Sequence, residues 1–327
     1  MSNKTFNVLT IDGGGIKGLY SAAILRELEK YFETRIVEHF DLICGTSAGA
    51  IIACGLAVGL SADDISSFYF TSGAKIFRHT PIWSKTKQLF FKSKYKGKKL
   101  ETELKSYLGE KKFKDSLCHL VIPTYDINAG NPYVFKTDHS SSLVRDSDTF
   151  LWEAALASAS APSYFPVYKS NYLKGHKFVD GGVWANNPSL AGLIETLRFF
   201  VGPDKEFDRF RLVSLSSISE HFAAIKVRAW HNSIVGWGSN LVNLFMNAQV
   251  ISTERMVAFL IDANDRGEYL RTPSPQLSKE MVEKIRLDKA KTEILVHLDG
   301  LGVKQASNLK NESIIKDIFG AKKLSKT

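Results

Sequence analysis

The sequence predicts an α/β protein with a mostly parallel central sheet and a helical C-terminal part. Three observations carry this. Short apolar strand-like runs alternate with helical patterns through the first half of the chain, the order that builds parallel sheets. Glycines cluster at the ends of three of those runs: Gly13–Gly15, Gly45 with Gly49, and Gly181–Gly182. From about Ser219 the chain changes to longer helical runs.

The elements follow in order. Val8–Ile11 reads as a short buried strand, and Leu19–Phe32 repeats apolar residues at helical spacing. Phe40–Cys44 is a second strand and Ala48–Val58 a helix buried on nearly all sides. Leu100, Leu104, Tyr107 and Leu108 mark an amphipathic helix that Gly109 can stop. Leu117–Tyr125 and Pro132–Phe135 are further strands, as are Phe178–Val179 and Phe210–Leu215. Leu241–Ile261 and Ser278–Leu298 read as helices, with the TPSP run Thr272–Pro275 breaking between them. The expected layout is a core over 1–217 and a helical region over 218–327 packed on it, with a regulatory role open to that region.

Composition places the chain among globular proteins: 327 residues, 44% hydrophobic and 24% charged. Three cysteines without paired spacing argue against a disulfide framework or a zinc site, and no metal is expected. The opening MSNKTFNV has no apolar signal core, and the longest apolar run, Ala48–Leu60, is too short for the ~20 residues of a membrane span. The expectation is a cytoplasmic protein.

The charge is uneven. Lys75–Lys114 holds thirteen Lys and Arg against three Glu, so the whole net charge of +9 is accounted for there. Aromatics interleave with those charges, including Phe90 and Phe91. With Lys92, Lys94, Lys96, Lys98 and Lys99 they form a candidate surface for an anionic membrane or for a phosphate-bearing ligand. A solvated basic face is the plainer reading.

Chemistry concentrates at the glycine turns. Gly45-Thr46-Ser47-Ala48-Gly49 matches G-x-S-x-G between a strand and a helix, the context of a nucleophile elbow. Such a turn projects the Ser47 hydroxyl outward, at the positive end of the following helix. An ordinary helix-capping serine is the alternative. Asp12-Gly13-Gly14-Gly15 could turn backbone N–H groups toward a developing oxyanion; its spacing does not fit a P-loop. Lys17 either adds positive potential there or faces solvent. Asp180 ends the third such strand, before Gly181 and Gly182. A serine nucleophile needs a base, and an Asp serves only if burial raises its pKa. The histidines sit in no recognisable triad pattern.

Together these motifs resemble the patatin-like phospholipases. The resemblance covers about two-thirds of the chain, Phe6–Leu215, through DGGGIKG, GTSAG and DGG in that order. The stretches Ile122–Phe135, Ala155–Val167 and Val183–Ser189 agree. The resemblance implies a three-layer α/β/α core and a lipid acyl hydrolase that works through a Ser–Asp dyad without a metal. Ser47 would be its nucleophile, Asp180 its base, and Gly13, Gly14 and Gly15 its oxyanion hole. Asn186 and Asn187 would fix the loop after Asp180. Where the family often reads LSLGTG, this chain reads LVSLSSIS, Leu212–Ser219. A narrower resemblance, to effectors of cyclic-oligonucleotide antiphage signalling, implies a cyclic dinucleotide activator and action at the inner face of the membrane. It leaves room for a homo-oligomer and calls for no DNA or RNA. A constitutive lipase or thioesterase, and a catalytically idle lipid-binding module, are the rivals.

Overall fold

The computed structural model describes residues 4–77, 93–218 and 239–321, apart from 276, 278, 286, 287 and 289. Phe90, Phe91 and Lys92 lie outside the described residues.

Among the described residues eight strands form one mixed sheet: β1 Thr5–Ile11, β2 Leu42–Gly45, β3 His119–Asp126, β4 Asn131–Lys136, β5 Tyr168–Lys169, β6 Lys177–Asp180, β7 Arg209–Leu215 and β8 Gly267–Arg271. Their order is β5-β6-β3-β2-β1-β7-β8, with β4 also paired to β3. The run β3-β2-β1-β7-β8 is parallel, and β4, β5 and β6 make the antiparallel pairings.

Alternation along the strands sorts side chains into two cores. Leu9, Ile11, Ile43, Leu120, Ile122 and Val213 pack into one apolar cluster. That cluster also takes residues of the helices Gly18–Phe32, Ala48–Ala57, Ala62–Ile76, Leu151–Ser158 and Thr292–Leu309. Phe6, Val8, Leu42, Cys44, Val121 and Leu212 face the other way, onto Leu193, Phe200, Val257 and Ile261. The sheet is therefore sandwiched between helical layers.

Several elements differ from the sequence reading, three of them instructive. The chain after 218 adds the edge strand β8 to the sheet, where only helices were expected. The run read as one helix over Ser278–Leu298 divides into Lys279–Lys284 and Thr292–Leu309. Between them Asp288 is buried, bonded by Tyr95 Oη at 2.7 Å and by Lys94. The helix Ala62–Ile76 went unread although Ser61 and Asp64 close a capping box at its start.

One pairing sets up the site. β2 pairs with β3 only as far as Val121. β4 holds the opposite edge of β3, so β6 takes over the vacated edge at Thr124–Asp126. β2 and β6 run in opposite senses, and their C-terminal ends point at each other. Open α/β sheets bind ligands at such carboxyl ends.

Candidate active site

Ser47 follows β2, and Asp180 is the last residue of β6. The Ser47 hydroxyl donates to Asp180 Oδ2 at 2.6 Å, and both residues are buried. Ser47 has φ 55° and ψ −117°, a backbone that non-glycine residues rarely adopt. It precedes the helix Ala48–Ala57 without capping it through its side chain, so the hydroxyl is free for the carboxylate. The turn is too tight for side chains: a Cβ on Gly45 would lie 2.1 Å from the Gly49 carbonyl oxygen.

Asp180 is fixed at both carboxylate oxygens. Gly182 N donates to Oδ1 at 2.7 Å, and Ser47 holds the other. Burial raises its pKa to about 6, and these two hydrogen bonds only partly offset that. A carboxylate at this value is a far better base than an exposed one. Among the described residues no histidine lines the cavity above the pair. His39 bonds Thr34, His139 bonds Glu195 and His176 bonds Asp126. His79, His221 and His231 lie outside the described residues.

The glycine loop after β1 comes up beside Ser47. Its three glycines serve different ends. Gly15 has φ 56°, whereas Gly14 is extended at φ 176°. Gly14 is required by proximity: a Cβ there would lie 2.2 Å from Ser217 Oγ. The Gly13 N–H donates to Asn186 O at 2.9 Å, so it is already used in holding the loop. Among the described residues the amides of Gly14 and Gly15 have no hydrogen-bond acceptor, and both residues line the cavity.

That cavity encloses about 530 Å³ and is walled largely by apolar side chains, among them Ile51, Phe68, Ile76, Leu100, Phe165 and Met246. Ser47 and Asp180 stand in its wall. Val183 and Phe245 also line it while remaining 49% and 64% exposed, which gives the opening an apolar rim. The arrangement presents a hydroxyl, a carboxylate and two unused backbone donors to this apolar cavity.

Comparison with known proteins assigns the chain to a family. The family model described as patatin-like phospholipase matches residues 9–192. A cGAMP-activated phospholipase of Vibrio cholerae is 30% identical over 90% of this chain and 88% of that protein. Another, of Escherichia coli, is 31% identical over 92% of this chain and 88% of that protein. This chain belongs to the patatin-like phospholipase family. A plant relative, patatin-like protein 4 of Arabidopsis thaliana, is 27% identical over 91% of this chain and 82% of its own.

The patatin-like elbow depends on a residue that sequence reasoning passed over. Ser158 Oγ accepts the Ser47 amide at 2.9 Å and donates to Pro123 O at 2.7 Å. The SASA run around it hinted at this only as part of a matching stretch. Asn186 reaches the glycine loop after β1, its backbone carbonyl accepting the Gly13 amide, while Asn187 Oδ1 accepts the Ser189 amide at 3.0 Å in the loop after Asp180. Lys17 does not face solvent; it is buried and donates to Ile218 O at 3.1 Å.

The basic segment is divided. Lys94 is tied to Asp288 and stands near the rings of Tyr95 and Tyr164. Lys96, Lys98 and Lys99 are exposed at the start of the helix Gly97–Leu108 and have no ion-pair partner among the described residues. No described group of three His, Cys, Asp or Glu could hold a metal ion. Among the described residues no helix is long and apolar enough to cross a membrane.

Proposed function

We propose that this patatin-like phospholipase cleaves acyl esters of membrane phospholipids, with Ser47 as nucleophile and Asp180 as its base. The observation that carries the reading is the 2.6 Å hydroxyl–carboxylate contact in the wall of an apolar cavity. Asp180 takes the Ser47 proton as Oγ attacks the ester carbonyl. The tetrahedral oxyanion is met by the amides of Gly14 and Gly15. The alcohol leaves with the proton held by Asp180, and water then repeats the sequence to release the fatty acid.

The relatives named cGAMP-activated phospholipase extend the proposal to control by a cyclic dinucleotide, in antiphage defence at the inner membrane face. The test is fatty-acid release from mixed phospholipid vesicles by the purified protein, with and without a panel of cyclic dinucleotides. Release that one of them raises steeply supports the switch. Equal release throughout leaves a constitutive lipase. No release under any condition removes the enzymatic reading.

A further inference from the structure

The chain after 218 reaches the glycine loop at two points. Asp12, the residue before the glycines, is buried, and Arg271 of β8 grips its carboxylate with two nitrogens, at 3.2 and 2.6 Å. The same guanidinium donates to Ser214 Oγ at 2.6 Å and to Glu254 at 3.2 Å. The Asp12 amide donates to Leu215 O at 3.1 Å, so backbone and side chain are both held. At the next residue, Gly13 N donates to Asn186 O, and Asn186 N donates in turn to Gln249 Oε1 at 2.9 Å. Gln249, on the helix Ser239–Asp262, is itself oriented by donating to Thr253 Oγ1 at 3.0 Å.

We infer that Arg271 and Gln249 are positioning residues that set the glycine loop for catalysis. Asp12 and Gly13 immediately precede the two unused amides, so their placement fixes where Gly14 and Gly15 point. Oxyanion stabilisation needs donors about 3 Å from the developing charge, and misplacement by about 1 Å can cost on the order of 10²-fold in rate. Arg271 does not line the cavity, so it acts through Asp12 and not on substrate. The two contacts also give the C-terminal region a physical route to the reacting atoms. Any movement of β8 or of the helix Ser239–Asp262 is felt first at Asp12 and Asn186.

The inference rests on the reading of Gly14 and Gly15 as oxyanion donors. Arg271→Lys is the primary variant: it keeps the positive charge beside Asp12 but loses the two-pronged grip. Three quantities are measured: thermal stability, kcat and KM on a short soluble ester, and affinity for a trifluoromethyl ketone that forms an oxyanion adduct on Ser47. The expected result is a folded protein whose kcat falls roughly 10- to 100-fold. KM should change less than about two-fold, and ketone affinity should weaken in parallel with kcat. Gln249→Ala removes the second contact without exposing a buried charge. Because Gln249 also lines the cavity, its positioning role is read from kcat and ketone affinity falling together, by a smaller factor, with KM unchanged; a raised KM with kcat unchanged overturns that role, and this readout carries the test if Arg271→Lys does not fold. Wild-type kcat and ketone affinity in a folded variant overturn the inference. So does a loss that tracks only the folded fraction, with turnover per folded molecule unchanged. A fully active Gly14→Val protein would overturn the oxyanion reading beneath it, whereas an inactive Gly14→Val beside a wild-type Arg271→Lys rejects the positioning role alone.

Discussion

Asp180 Oδ2 accepts the Ser47 hydroxyl at 2.6 Å across two strand ends that meet at one edge of β3. Neither residue is near the other in sequence. The contact exists because β2 stops early and β6 enters the sheet from the opposite direction. Strand pairing therefore does the aligning, and the elbow strain at Ser47 keeps its hydroxyl out of the helix cap.

If these two groups form one catalytic unit, removing either should remove the covalent route. Ser47→Ala and Asp180→Ala are each expected to reduce phospholipid and soluble-ester hydrolysis to background, and the double variant should lose little more. The fold is checked by circular dichroism. Asp180→Ala with near wild-type turnover would make another group the base.

The pKa of Asp180 predicts the pH dependence. Burial lifts it to about 6, whereas an unfolded Asp titrates near ~3.9. The base must be ionised, so kcat/KM should rise with pH and reach half its plateau near pH 6. Stability runs the other way. Between the two pKa values the folded chain keeps a proton that the unfolded chain has lost. The Asp180 contribution is therefore most favourable below about pH 4 and falls as pH rises to 6. A rate profile flat from pH 8 down to pH 4.5 would contradict the assignment.

Gly14 tests the oxyanion loop. A side chain there collides with Ser217, whose Oγ would stand 2.2 Å from the new Cβ. Gly14→Val is expected to lower turnover by about 10²–10³, the usual effect of losing one oxyanion donor. Gly14→Ala combined with Ser217→Gly relieves the collision and should recover part of the rate lost by Gly14→Ala alone. No recovery would mean that the loop is disturbed by something other than that contact.

Much of this arrangement was legible in the sequence because its chemistry is local. The strand–glycine–helix turns around Ser47 and Gly13–Gly15 carry their own signature, and Asp180 ends a short apolar strand before two glycines. What the sequence concealed is long-range. Arg271 is one basic residue in GEYLR, a run whose pattern is too weak to announce a strand. Its partner Asp12 lies at the other end of the chain. Ser158 sits in an Ala/Ser run whose bond to the Ser47 amide depends on the packing of a helix against β3. The three glycines were read alike. The structure separates them, because an N–H that donates to the Asn186 carbonyl at Gly13 looks the same in sequence as one left open at Gly14.

The lysines of the basic segment divide into two predicted classes. Lys94 is bound to buried Asp288 beside Tyr95, so Lys94→Gln should lower thermal stability and reduce hydrolysis of soluble and vesicle substrates together. Lys96, Lys98 and Lys99 are exposed and have no described ion-pair partner, so replacing them should leave the fold and the soluble-ester rate unchanged. If they face an anionic bilayer, each should contribute roughly five-fold in vesicle affinity, less at high salt. Vesicle sedimentation of the Lys96→Gln, Lys98→Gln, Lys99→Gln triple variant, at low and at physiological salt, separates the cases. The expected outcome is weaker binding to anionic vesicles, little change on zwitterionic ones, and a salt dependence shallower than that of the wild type. Unchanged binding to anionic vesicles would remove the membrane role from these three residues. The apolar rim of Val183 and Phe245 would then be the better place to seek the contact between this enzyme and its lipid surface.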